Sequence, residues 1–208
     1  MIKVLNLYAG IGGNRKLWKN VNVTAIENNL PIANIYQHFF PKDKIIVTDA
    51  HQYLLEHFEE FDFIWSSPPC PSHSRIRKFT AVESGQNKPI YPNMQLYEEI
   101  LFLQGYFKGK WVVENVISWY EPLIKPFKSG QHYFWANFTI PKLNDSSREH
   151  NAVNIILQKK KGFDLSWTKD FRINKKLLLR NCVEPEIGLD IFKAAFQLKQ
   201  TTLNEGEY

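Results

Sequence analysis

Ile2-Lys3-Val4-Leu5-Asn6-Leu7-Tyr8-Ala9-Gly10-Ile11-Gly12-Gly13 is the stretch whose reading decides the fold. An apolar run of strand length feeds straight into a glycine-rich turn, and the residues after it, to about Asn20, read as a short helix. Glycine allows a sharp turn and lets a ligand come close to the main chain. A strand, glycine loop and helix in that order therefore opens a nucleotide-binding α/β fold.

Working outward, residues 21–26 read as a second strand, and Pro31 suits the first turn of a helix reaching Phe39. Residues 44–47 give a third strand, 50–58 a helix, and 61–65 a fourth strand. Pro, Ser, Gly, Asn and basic residues dominate 71–92, which reads as a loop. A helix over 93–107 and a fifth strand over 110–113 follow. This alternation predicts a mostly parallel sheet with flanking helices, right-handed crossovers and ligands at the carboxyl ends of the strands. Beyond residue 120 the pattern changes. Residues 131–140 and 152–158 are expected to pair as antiparallel strands around a turn at Asn144-Asp145-Ser146-Ser147. Residues 187–198 read as a closing amphipathic helix, and the tail from Gln200 as frayed. The organisation expected is a catalytic and cofactor-binding core over 1–140, a reduced basic substrate-binding segment over 141–179, a returning C-terminal helix over 180–199, and a tail over 200–208.

A chain of 208 residues fits one α/β domain, and a hydrophobic fraction of 44% supplies its core. No apolar run reaches about 18 residues, so neither a membrane span nor a signal peptide is expected. Two cysteines in a chain of this size suit a reducing compartment, which points to the cytoplasm. The net charge of +5 is unevenly spread: residues 125–180 hold 12 Lys and Arg against 4 Asp and Glu, leaving the rest of the chain net acidic. A basic segment on such a body suits a polyanion, most simply nucleic acid, although a solvated loop surface carries the same charge.

Several residues carry chemistry. Gly10, Gly12 and Gly13 let backbone approach a cofactor, Glu27 ends the second strand where an acid accepts from ribose hydroxyls, and Asp49 ends the third near an adenine amino group. A dinucleotide and S-adenosylmethionine fit these equally. Ser66-Ser67-Pro68-Pro69-Cys70-Pro71 and Val113-Glu114-Asn115-Val116 narrow the choice. A thiolate on a rigid Pro-Pro turn can add to C6 of a pyrimidine while a carboxylic acid steadies the ring nitrogen. Taken singly, Cys70 also reads as a small buried hydrophobe and Glu114 as a strand-end acid. Arg75, Arg77 and Lys78 stand close in sequence and are expected to lower the Cys70 pKa. Glu114 is expected to be protonated, or to share a proton with cytosine N3. No metal is called for.

On these motifs the chain resembles the DNA cytosine-5 methyltransferase family. Leu7 to Gly13 is similar to that family's cofactor loop, Ala25-Ile26-Glu27-Asn28 to its ribose-binding acid, and Asp49 to its third-strand acid. Pro68-Pro69-Cys70 matches its nucleophile motif, Glu114-Asn115-Val116 its Glu-Asn-Val motif, and Arg180-Asn181-Cys182-Val183-Glu184-Pro185 its closing motif. The resemblance implies a Rossmann-like S-adenosylmethionine-dependent methyltransferase with a small basic C-terminal lobe. It implies cofactor contacts from Tyr8, Ala9, Gly10, Gly12, Gly13, Glu27, Asn28, Asp49, Ala50, Pro68, Asn181 and Val183. Catalysis would fall to Cys70 and Glu114, and substrate contacts to Ser74, Arg75, Arg77, Asn115 and Gln131. The implied acceptor is a flipped-out cytosine in DNA. Relatives acting on transfer RNA share the motifs, so RNA or a free cytidine nucleotide is the alternative acceptor. A catalytically silent nucleic-acid-binding partner subunit is the alternative in kind.

Three departures stand out. Pro71-Ser72-His73-Ser74 replaces the usual Gln and x-Phe-Ser after the nucleophile, leaving His73 as either a substrate contact or a spare loop residue. Gln131-His132-Tyr133-Phe134-Trp135 stands where the family has Gln-x-Arg-x-Arg, so both arginines are missing. Only residues 141–179 occupy the place of the family's far larger sequence-reading domain. Short or relaxed specificity, a single-stranded substrate or a helper subunit is expected. Phe163, Trp167 and Phe171, interleaved with Lys159 to Lys161, Lys169 and Arg172, suit stacking on bases and equally suit anchoring a small lobe.

Overall fold

The computed structural model describes residues 1–88, 90–143, 154–168, 171 and 173–196. Seven strands form one sheet in the order β3-β2-β1-β4-β5-β7-β6. The first five, β1 (Ile2–Leu7), β2 (Val21–Ile26), β3 (Lys44–Ile46), β4 (Phe63–Ser66) and β5 (Lys110–Val116), are parallel. β6 (Phe127–Ser129) and β7 (His132–Ala136) form a hairpin that continues the sheet antiparallel to β5. The expected mostly parallel sheet with flanking helices is therefore correct.

Both faces are covered, which is why the strands read as unbroken apolar runs. On one face Val4, Val23, Ala25, Phe63, Trp65, Val112 and Phe134 meet Tyr36 of α1 (Leu30–Phe39) and Ile187, Ile191 and Phe192 of α6 (Pro185–Ala195). On the other, Leu5, Leu7, Ile26, Ile64, Val113 and Trp135 meet Leu54 of α2 (Ala50–His57) and Leu96, Ile100 and Leu103 of α3 (Gln95–Tyr106). A third cluster joins Ile11 and Ile35 to Leu157 of α4 (Asn154–Lys161), to Phe163 and Leu165, and to Leu178 and Leu179 of α5 (Lys175–Arg180). Among the described residues no helix is long and apolar enough to cross a membrane. Cys70 and Cys182 are both free thiols.

Four expectations need correction. No helix follows the glycine loop; residues 13–18 are turns closed by Lys16 N–H to Gly13 O and Trp18 N–H to Arg15 O. Tertiary anchoring overrides local preference there. Arg15 grips Asp43 through two nitrogens at 2.8 and 3.0 Å, and the Trp18 indole donates to Gly188 O while stacking on Phe192. Residues 154–158 belong to α4 rather than to a strand, and β7 pairs instead with β5 and β6. The Lys-rich run 154–161 lacks strand alternation, burying Leu157 while Ile155 and Ile156 face out, whereas 132–136 matches the pleat of β5. The turn expected at 144–147 and the tail from 200 lie outside the described residues. The loop over 71–92 contains a π-helical segment, Ile76–Val82. Finally, β5 runs on to Val116, so Glu114 sits within the strand and not beyond its end.

Candidate active site

The three glycines of the first loop do different work. Gly10 has φ +55 and open space where a side chain would project, and its N–H donates to the Glu27 carboxylate at 3.0 Å. Gly12, at φ +83, makes room for packing: a Cβ there would fall 2.3 Å from the Phe40 ring. Gly13 makes room for the far end of the chain, since a Cβ would sit 2.2 Å from Cys182 Sγ and 2.3 Å from Val183 O. The loop is thereby pinned to residues 182–183.

Glu27 leaves β2 and accepts from the N–H groups of Gly10 and Asn29, at 3.0 and 2.9 Å. Burial nonetheless raises its pKa above the usual carboxylate value, the backbone hydrogen bonds opposing that rise. Tyr8 holds a φ of +54, uncommon for a residue with a side chain, and its hydroxyl donates to Glu99 at 2.5 Å. Glu99, on α3, is wholly buried and also accepts from Ser66 Oγ at 2.5 Å, with His51 Nδ1 3.2 Å away. One buried carboxylate thus ties together the ends of β1 and β4 and the first turn of α2. Burial and the Glu99 charge push the Tyr8 phenol far above its ordinary value, so it stays a hydrogen-bond donor.

Cys70 follows the Pro-Pro turn at the end of β4. Asn115 Nδ2 donates to Pro68 O at 2.9 Å, fastening that turn to β5. The N–H groups of His73 and Ser74 both donate to Cys70 O at 3.0 Å, curling the chain beyond the thiol. Burial pushes the Cys70 thiol up to about 11, and the Glu114 charge adds to that rise. The expected lowering by Arg75, Arg77 and Lys78 does not occur. Arg75 Nε donates to Ser118 O at 2.9 Å, while Arg77 and Lys78 line a different cavity.

A cavity of about 680 Å³ brings most of the expected residues together. Tyr8, Ala9, Gly10 and Gly13 line it from the first loop, with Glu27 and Asn28 from the end of β2. Pro68 and Cys70 come from the end of β4, Glu114 and Asn115 from β5, and Gln131 from the turn before β7. Asn181 and Val183 close it from the C-terminal segment. Gly12, Asp49, Ala50, Ser74, Arg75 and Arg77 are not brought there. Asp49 instead caps α2, accepting from Gln52 N–H at 2.8 Å, and Ala50 is buried in that helix's first turn.

Sequence reading gave no site role to His132 or Asn14, which share this cavity with Lys161 and Arg180. His132 Nε2 lies 3.6 Å from Glu114 Oε1, so an imidazole stands beside the acid although both expected arginines are absent. The antiparallel register brings it there: His132 pairs with Val116, placing it diagonal to Glu114 on one face. The aromatics in place of the arginines belong to the opposite face, where Trp135 is buried and its indole donates to Ile124 O. His73 is also settled as structural. It is buried, with Nδ1 2.6 Å from the Tyr120 hydroxyl.

The stacking reading of 159–172 fails for its first members. Phe163 is fully buried, edge-on to Phe39, with Lys16 Nζ 3.9 Å from its ring centre. Trp167 leans on His38 and Phe171 on Trp167. Lys161 is buried, donating to Cys182 O and pairing with Glu184 at 3.2 Å. Phe163 and Lys161 are lobe anchors, while Trp167 remains 38% exposed. Lys169 and Arg172 lie outside the described residues.

A family model described as C-5 cytosine-specific DNA methylase matches residues 2–116. Among characterised proteins, the tRNA (cytosine(38)-C(5))-methyltransferase of Spodoptera frugiperda is 31% identical over 84 residues, covering 37% of this chain and 25% of that protein. Its Homo sapiens namesake is 28% identical over 117 residues, covering 50% of this chain and 30% of that protein. This chain thus spans under a third of the length of these relatives, about 25% and 30%. A solved structure of a Spodoptera frugiperda DNMT2 mutant aligns over 56% of this chain and 36% of that one, at 22% identity and a TM-score of 0.40.

Proposed function

This chain belongs to the C-5 cytosine-specific DNA methylase family, and from that premise we propose that it transfers a methyl group from S-adenosylmethionine to C5 of a cytosine in DNA. The observation that carries the reading is one cavity lined by both a thiol, Cys70, and a carboxyl, Glu114, together with a glycine loop hydrogen-bonded to the Glu27 carboxylate. The open space over Gly10 and the Glu27 oxygens fit a nucleoside whose ribose hydroxyls donate to an acid. Tyr8, Asn28 and Ile32 line the same end, and Asn181 and Val183 close it. When bound, S-adenosylmethionine supplies an electrophilic methyl group on a sulfonium.

The chain's own residues do the rest. Cys70 gives up its thiol proton to the Glu114 carboxylate and bonds C6 of the extruded cytosine, while Glu114 hands that proton on to N3 so that the ring does not carry the negative charge. Proton loss at sulfur and proton gain at nitrogen balance. The adduct makes C5 nucleophilic, and C5 takes the methyl group. A solvent base then removes the C5 proton, the sulfur–C6 bond breaks, Cys70 leaves as thiolate, and N3 returns its proton to Glu114. Asn115 keeps the Pro-Pro turn fixed against Pro68 O throughout. Before substrate arrives, burial and the Glu114 charge hold Cys70 protonated. A cytosine that shares a proton with Glu114 relieves the second and smaller of these.

A second reading places the cytosine in transfer RNA, and the names of the two relatives favour it. Nucleoside mass spectrometry on DNA and RNA from cells expressing the protein tests both, with Cys70→Ala as control. Cysteine-dependent 5-methylcytosine in DNA is expected; the same signal in RNA alone would move the assignment to the second reading. No such signal in either polymer would overturn the proposed function.

A further inference from the structure

A second cavity, of about 480 Å³, opens beside the first, and Pro71 lines both. Its walls come from the chain just beyond Cys70, from residues 90–97, and from residues 119–123 after β5. Four aromatic rings line it, those of Tyr91, Tyr97, Trp119 and Tyr120. Trp119 is held by its indole N–H to Ser72 O at 3.0 Å, and the Tyr97 and Tyr120 hydroxyls meet at 3.2 Å. Tyr91, 81% exposed, stands at the mouth.

Two cations share this space. Lys78 Nζ lies 5.4 Å from the Trp119 ring centre, and Arg77 lines the cavity with its Nε buried and without a hydrogen-bond partner. Arg77 nonetheless brings a fixed positive charge to the cavity lining, and an incoming anionic oxygen would pair with it. A purely apolar ligand would satisfy the rings and leave Arg77 as it is. Flat aromatic surface beside a guanidinium and an ammonium is the equipment for a base carrying a phosphate.

We infer that this cavity binds the nucleotide adjacent to the target cytosine, its base against Trp119 and Tyr91 and its phosphate on Arg77 and Lys78. The inference rests on the function proposed above, because continuity through Pro71 puts the neighbour of a cytosine at Cys70 into this space. Recognition of one flanking position then lies within the catalytic core and does not require the short segment 141–179.

The test uses short single-stranded oligonucleotides, made as DNA and as RNA, with one cytosine flanked by intact nucleotides or by an abasic residue on one side or the other. Binding is followed by fluorescence anisotropy and methylation by mass spectrometry on the same samples. An abasic residue on one side only is expected to weaken binding about tenfold, within the range of stacking one base. Tyr91→Ala, at an exposed position that leaves the core intact, is expected to weaken binding similarly and to lose the discrimination. Arg77→Gln is expected to weaken binding to every oligonucleotide and to reduce the salt slope by about one. Equal affinity for intact and abasic flanks, with cysteine-dependent methylation preserved, would overturn this inference alone. Flank-dependent binding with no methylation would overturn the proposed function and leave the nucleotide site standing. Loss of both signals overturns both.

Discussion

Glu114→Gln removes a negative charge from the wall that holds Cys70, and the Cys70 titration should report it. The thiol is pushed from an ordinary 9.0 up to about 11. At pH 8 roughly one thiol in a thousand is then ionised, against about one in ten for a thiol at its ordinary value. Burial is the larger cause and Glu114 the smaller. The substitution should therefore move the midpoint down by less than half the gap, leaving it above about 10. Iodoacetamide labelling between pH 7 and pH 11.5, with peptide mapping to separate the two cysteines, gives the curve. Cys182, packed against the backbone of Gly13 and likewise raised to about 11 by burial, serves as the internal reference. A Cys70 midpoint at or below 9 in the unaltered protein would refute the reasoning. So would a midpoint that Glu114→Gln leaves in place.

Other consequences follow from the same geometry. Gly13→Ala should lower thermal stability sharply and weaken cofactor binding, because its Cβ would strike Cys182 Sγ and Val183 O, whereas Gly10→Ala has open space and should lose only about 1–2 kcal/mol to its positive φ in urea unfolding. His51 has its pKa raised, first by its hydrogen bond to Glu99, so its contribution to stability is fully present below about pH 6.5 and is lost as pH rises through the higher folded value. Urea unfolding of His51→Gln from pH 5.5 to pH 8.5 should show that decline flattened. Asp43→Asn, which leaves the Arg15 guanidinium without its carboxylate partner and alters the Tyr36 contact, should cost about 3 kcal/mol in chemical denaturation.

Much of the parallel half of the sheet was legible because its strands are buried on both faces and its helices carry plain starting signals. Pro31 in the first turn of α1 is local chemistry that needs no tertiary knowledge, whereas Asp49, read as a cofactor contact, turned out to cap α2. The pairing of Cys70 with Glu114 was legible for the same reason, since both follow from strand order alone. What stayed hidden depends on contacts across long separations. The turn at 13–18 is set by Asp43 and Gly188, and neither is visible from its own sequence. The helix α4 read as a strand because two exposed isoleucines, Ile155 and Ile156, imitate a β-prone run. His132 escaped because its meaning lies in the register of β7 on β5. The thiol's environment was read from nearby basic residues, yet their side chains turn to other partners, and desolvation decides the outcome.

The contact of the glycine loop with residues 182–183 has a consequence for how the protein is made. Trp18 and Gly188 are 170 positions apart, yet they fix the same corner of the molecule. A chain emerging from the ribosome carries its first strand and loop long before the segment that closes over them exists. Until α6 arrives, Trp18 and Phe63 lack the cover of Ile191 and Phe192, and the first loop lacks its wall. High sequence separation makes this closure a late event in folding. Ligand affinity in the first cavity therefore marks completed molecules, and ligand present during synthesis stabilises finished chains without rescuing partial ones.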